Sequence, residues 1–309
     1  MIVRNILIGL GAGLAAALLF AGLVTGTTLA LPLFLLSPLP IAIAGLGFGT
    51  IAGAVGAVLA AALIGGVLSP HAGAMHLFLF GAPVAFAAHW IGLSRGDQAA
   101  PAEREWFPLN RVLMRIALAC GVGVVITGVM IGYDPASWKE ALLATLKLVL
   151  ADGTVADAPS EADLAPIVGI MVTLMPVSSG VFAVAIVALN CWLGARISRL
   201  SGQMQRPWTP VWAIVLPRFA FWALVAAVAA AFLPGSAGQI GAAFVGAIAF
   251  AFALSGFGWV HAAVAGKPLK GLILTFLYAF TLLFSIPILL AALVGIADTM
   301  FGLRSRQRD

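Results

Sequence analysis

The stretch GLGFGTIAGAVGAVLAAALIGG, Gly45 to Gly66, decides what kind of protein this is. It carries no charge, and as a helix it would run ~33 Å, enough to cross the hydrocarbon core of a bilayer. Small residues recur at every fourth position: Gly45, Gly49, Gly53, Ala57, Ala61 and Gly65. On one continuous helix they stack on a single face, a smooth groove that other helices can approach at backbone distance. Helices in lipid associate in this way, because leaving lipid gains an apolar side chain nothing. The groove therefore reads either as the central packing post of a helical bundle or as a docking face for a membrane-protein partner or a second copy of the chain. The first apolar run, Ile6 to Val24, carries its own small row at Gly9, Gly13, Ala17 and Ala21 and is the natural neighbour of the groove.

The whole chain shares this character. Of 309 residues 62% are hydrophobic and 9% charged, and the mean hydropathy is +1.13, whereas soluble domains carry roughly a quarter charged residues. With no water to satisfy backbone groups in the bilayer, spans must be helices or closed barrels, and uncharged runs of about 20 residues mean helices. The expected fold is therefore all-α: a single integral membrane domain over residues 1–309, with about eight to ten membrane segments, some broken by proline. An apolar run behind one basic residue at the amino end reads as a first span, not a cleaved leader.

Along the chain, Pro32, Pro38 and Pro40 interrupt the second apolar segment, which is expected to lie against the Gly45–Gly66 helix. Spans are expected at about His71–Leu93, Asn110–Ile131, Pro210–Leu233 and Gln239–Ala265. The run Leu164–Gly194 is too long for one straight span, and MPVSSG at its centre, with Pro176, Ser178 and Ser179, predicts a kink or discontinuity. The last run, Leu272–Ala297, is divided by Pro287 and reads as a hairpin of half-spans. Arginines in short loops resist translocation. The rule places Met1, Ser94–Leu109, Arg196–Pro207 and Arg304–Asp309 in the cytoplasm, and the acidic stretch at about 132–163 outside. Within that stretch Trp138, Ala141, Leu142, Thr145 and Leu148 predict an amphipathic helix on the outer leaflet.

The available chemistry is sparse. No Asp or Glu falls in an expected span, so no buried carboxylate is predicted for binding or carrying a cation. The chain has no HExxH, GxSxG or GxxxxGK(S/T), and GLGFGT lacks the third glycine of a dinucleotide fingerprint. His71 and His76 are five apart, on different faces of a helix, and the two cysteines, Cys120 and Cys191, lie in apolar runs, so neither a metal site nor a disulfide is expected. His89 and His261 read as interfacial anchors near span ends, and Arg218 as a snorkelling side chain. The basic residues are dispersed, which argues against nucleic acid. The expectation is a non-enzymatic protein without cofactor. Broken helices are where transporters expose backbone for binding, so the candidate ligand or hinge region comprises Pro38, Pro176, Ser178, Ser179 and Asn190.

Four segments, LSPLPIAIAG, NCWLGARISRL, PVWAIVLPRFAFW and LVGIADTMFGLRSR, resemble the YybS-like family of bacterial integral membrane proteins of unknown function. The last places Gly295, Asp298 and Arg304 where that family has a Gly-x-x-Asp followed by basic residues. The family is in turn distantly similar to the substrate-capturing subunits of energy-coupling-factor transporters, although no vitamin-binding motif of those subunits is present here. The resemblance implies a multi-pass protein of the bacterial inner membrane that takes a small-molecule ligand and docks on a partner. The alternative is a membrane scaffold or assembly factor acting through protein contacts.

Overall fold

The computed structural model describes residues 2–96, 104–151 and 160–304, and it is helical almost throughout. Among these residues seven helical stretches are long and apolar enough to cross a membrane, and a bent helix pair makes up to eight. The protein is a polytopic helical membrane bundle.

Helix α1 (Ile2–Ala21) crosses first, and the chain returns through α2 (Ala30–Leu35) and α3 (Leu39–Phe48), a broken span divided by the turn at Leu36–Pro38. Helix α4 (Thr50–Val67) begins only after Gly49, whose φ of +98° is open to glycine and strained for other residues. The expected single helix over Gly45–Gly66 is thus two helices folded back on each other. Gly45 and Gly53 come face to face, and a methyl on Gly53 would sit 3.0 Å from the Gly45 Cα. The four-residue spacing could not disclose the corner, because glycine fits the helix face and the turn equally well.

The other face of α4 receives α1. A methyl on Gly9 would lie 2.7 Å from Ala52 O, and one on Gly13 2.8 Å from Gly56 O, so the two backbones are in contact. The partnership expected for the first span holds, but through the row Ala52, Gly56 and Ala60, one residue off the predicted groove.

The next span is α5 (Pro70–His76) and α6 (Ala82–Gly92), joined by a π-helical turn at Leu77–Gly81. Pro83 has no N–H for a regular ladder, and the π turn absorbs the extra residue. A ladder of two short strands, β1 (Ser94–Arg95) and β2 (Glu105–Trp106), closes the following loop before α7 (Leu109–Met130). Helix α8 (Pro135–Ala151) is the expected amphipathic helix and packs on α9 (Glu161–Leu200). The acidic connector at 152–159 lies outside the described residues.

Helix α9 corrects a second expectation in part: of the kink or discontinuity foreseen at Pro176, the discontinuity is ruled out, because α9 is one continuous helix of 40 residues with Pro166 and Pro176 inside it. A proline strips the carbonyl four residues earlier of its partner. For Pro176 that carbonyl is Val172 O, and the Tyr133 hydroxyl donates to it at 2.5 Å. An external donor replaces the missing N–H, so the helix continues.

The span expected at Pro210–Leu233 is helical only in α10 (Phe219–Ala231), ~20 Å long and short of a bilayer core. The stretch between Pro210 and Pro217 holds a single 3₁₀ turn, Val211–Ala213. Helix α11 (Gly235–Ala263) is the most enclosed span, with 67% of its most apolar 18 residues buried against 33% for α4. The packing post of the bundle is α11, then, and not α4. It meets α7, α9, α10 and α13 (Ile286–Phe301). Before α13 comes α12 (Lys270–Leu283), which buries no residue and is bent by 118° from α13 at Phe284–Ser285, a geometry shared by a broken span and a re-entrant hairpin.

Candidate functional site

At the end of the bundle that carries Arg4 and Arg206, the Gly49 corner opens a cavity of about 380 Å³. Its walls are the first turn of α1, the α3–α4 corner, the end of α6, Trp106 of β2 and the segment Gln203–Arg206. Polar groups converge there from separate elements: Arg4 and Asn5, Thr50, His89, Gln203, Gln205 and Arg206. None of the lining residues is acidic. The Thr50 hydroxyl and His89 Nδ1 are hydrogen-bonded at 2.8 Å, which ties the start of α4 to the last turn of α6.

Arg206 holds the floor. One terminal guanidinium nitrogen donates to Ile91 O at 3.1 Å and to Phe107 O at 2.8 Å, capping the end of α6 and joining it to the loop before α7. Its charge also lies over the Trp106 ring, 5.8 Å from the centroid. Burial pulls Arg206 below the ordinary arginine value, yet a guanidinium stays protonated at any physiological pH. A larger cleft of about 610 Å³ between α8 and α9 has one charged lining residue, Lys139, and few other polar side chains. On chemistry the smaller cavity is the better candidate.

The residues singled out by the sequence fall in several places. Gly45, Gly49 and the start of α4 line the cavity or its rim, while Gly53, Ala57 and Gly65 face α3, Gly81 and Gly73 respectively. Ala61 presents its carbonyl to Gly73. Gly9 and Gly13 are spent on α4. Pro38 is buried at the break of the second span, and the buried Asn190 of α9 donates to Leu35 O at 2.8 Å just before it. Pro176, also buried, lies 14 positions before Asn190 on α9, ~21 Å along the axis. The structure does not bring the two breaks into one site. Ser178 bonds within its own helix, to Leu174 O, and Ser179 beside it is half-buried.

Two features were missed. His89, Arg4 and Arg206 were legible only as anchors or topology markers, since nothing local says that they converge. The second is a buried carboxylate: Asp298 lies within α13, 1% exposed, contrary to the expectation that no span holds one. Gly302, left-handed at φ +63°, ends α13 and turns the chain back, so that Arg304 Nε comes 2.8 Å from Asp298 Oδ2. The pair meets as opposite charges and not as an aligned hydrogen bond. The guanidinium also donates to Trp212 O, to Ile214 O at 3.3 Å and to Ser255 O at 2.6 Å. Ser255 Oγ adds a bond to Ile214 O. Non-helical backbone at membrane depth survives only where its carbonyls find partners. Arg304 and Ser255 are those partners for the unwound stretch before α10. An Asp four residues before a helix-ending Gly, with Arg two beyond it, is the signal that could have shown the pair.

Cys120 and Cys191 are buried and unpaired. Among the described residues no group of three or more His, Cys, Asp or Glu is placed to hold a metal ion.

The fold, with its corner cavity and arginine-held unwound segment, defines a polytopic helical membrane protein. Residues 13–299 match the family described as predicted membrane protein (DUF2232), and the chain belongs to that family. No curated protein and no solved structure matches it.

Proposed function

We propose that this is a non-enzymatic membrane protein that takes a small ligand at its cytoplasmic end, as a transporter-like subunit would. The cavity at the Gly49 corner carries the reading. It is about 380 Å³, within the range of small-ligand sites, and is walled by helix ends from several spans with convergent polar groups. Discontinuous helix ends are where transporters present backbone to substrates. The resemblance to substrate-capturing subunits of energy-coupling-factor transporters points the same way at the level of fold. The arginines at this end favour a cytoplasmic side by the charge rule.

The test is native mass spectrometry of gently extracted protein, with thermal shifts across a panel of vitamins, metal ions and small metabolites. Gly92→Trp is the control: Gly92 lines the cavity and a Cβ there meets nothing within 4 Å, so the substitution adds bulk at the cavity wall with no clash at its first atom. A ligand bound by the wild type and lost in Gly92→Trp supports the proposal. No co-purifying molecule and no shift in the wild type would sink it.

A scaffold role is favoured by one observation. Helix α12 has no buried residue and exposes Leu272, Phe276, Phe280, Leu282 and Leu283. Photocrosslinking from Phe276 in native membranes would give a discrete protein adduct on this reading, and lipid adducts alone would reject it.

A further inference from the structure

We propose that the group recognised in the corner cavity is a phosphate, carried by an anionic lipid headgroup or by a soluble phosphate compound. This rests on reading the cavity as a ligand site. Two cations reach it from independent elements, Arg4 from α1 and Arg206 from the loop after α9, and among the described residues no carboxylate lines it to neutralise them. Arg4 makes no ion pair or hydrogen bond among the described residues, and Arg206 spends one terminal nitrogen on Ile91 O and Phe107 O while its other nitrogens bond to no protein group there. A guanidinium offers five N–H donors in a planar fork that matches phosphate oxygens.

Neutral donors complete the set. Trp106 Nε1 is buried and unpartnered, and Trp106 lines the cavity. Gln203 and Gln205 lie on the same wall, and Gln205 Oε1 accepts from Arg104 at 3.1 Å, which leaves its amide N–H groups as donors. Helix α4 starts at this cavity with Gly49 as its cap, so no side chain covers its first N–H groups. Its positive end adds to the field of the arginines. The carbonyl ends of α3 and α6 also reach the cavity, but Arg206 covers Ile91 O at the end of α6. Both sources are geometrically open. Arg4 stands between Val3 and the lipid-facing Leu7, exposed by 71% and 62%, where a headgroup would lie. The Gln203–Arg206 side belongs to the loop after α9, where Gln203 and Gln205 are exposed.

Purified full-length protein in neutral detergent is titrated with inorganic phosphate, with phosphatidylglycerol and with diacylglycerol, which lacks the phosphate; binding is read by thermal shift and native mass spectrometry. We expect phosphatidylglycerol, phosphate or both to bind, diacylglycerol not to, and Arg4→Gln to weaken binding about tenfold. Arg4 is exposed and bears no structural bond, so this variant folds. Arg206→Lys, which keeps the charge and loses the fork, should weaken it further. Binding of phosphatidylglycerol alone assigns a lipid headgroup, and binding of phosphate as well assigns the group itself. Equal binding of diacylglycerol, wild-type affinity in Arg4→Gln, or no binding of either phosphate ligand overturns the proposal. In the last case a neutral or cationic panel compound displaced by Gly92→Trp leaves the cavity a ligand site and removes only its phosphate chemistry. If Gly92→Trp displaces nothing, the cavity reading fails as well.

Discussion

Replacing Asp298 by Asn tests the claim that the carboxyl end of the chain is held by a buried ion pair. Asp298 and the Arg304 side chain are 1% and 14% exposed, and their charges stand 2.8 Å apart. At an effective dielectric of about 20 that separation is worth about 6 kcal/mol of attraction, much of it cancelled by desolvation. Breaking a buried pair from one side costs about 3–5 kcal/mol, because the surviving charge is left uncompensated. In Asp298→Asn the guanidinium keeps Trp212 O, Ile214 O and Ser255 O, and the Asn oxygen can still accept the Arg304 backbone N–H. The expected loss is therefore below that range, about 2–3 kcal/mol. Arg304→Ala strands the carboxylate and also orphans carbonyls of the unwound stretch, so its loss should reach about 4–5 kcal/mol. The assay is equilibrium unfolding of wild type, both single variants and the double variant in mixed micelles, read as a double-mutant cycle. Equal effects of the two single variants, or a coupling of zero, would refute the reasoning.

Tyr133→Phe should cost about 1 kcal/mol by orphaning Val172 O, and Pro176→Ala should erase most of that cost by restoring an N–H four residues on; additive effects in the same unfolding assay would count against the account. His76 is fully buried in contact with Phe20 and Phe80, and neither ring nitrogen has a partner. His76→Phe should consequently hold or raise thermal stability while His76→Ala costs about 2–4 kcal/mol, and a large loss in His76→Phe would mean that the imidazole is satisfied in solution. A methyl on Gly49 meets nothing within 4 Å, so Gly49→Ala isolates the backbone strain at φ +98°. We expect about 1–3 kcal/mol of destabilisation, against no change for Gly92→Ala, whose added methyl also meets nothing within 4 Å; identical melting temperatures would deny the corner. Single cysteines at Ser137, Ser201 and Ser305, the last outside the described residues, in a Cys120→Ala, Cys191→Ala background should label from outside only at Ser137. Labelling at Ser305 would mean that α12 and α13 cross the membrane once.

The sequence by itself determined the solvent, the helical class and most of the spans, because twenty uncharged residues have one stable fate in lipid. It also determined that the last segment is broken just before Pro287 and that the first span lies on the helix that begins at Thr50. What it could not determine were outcomes that depend on a partner remote in the chain. Gly49 is a corner and not a helix position because α3 can fold back onto Gly53. Pro176 fails to break α9 because Tyr133, 43 residues earlier, supplies the donor that proline lacks. Asp298 can be buried because Arg304 returns to meet it, and the stretch before α10 can stay unwound because the same guanidinium takes its carbonyls. The cavity is likewise tertiary: Arg4, His89 and Arg206 lie 85 and 117 positions apart along the chain, and only the packing of α1, α4, α6 and α9 brings them to one opening. Hydrophobic pattern is a local property of the chain, whereas the satisfaction of a buried polar group is decided by whichever element arrives beside it.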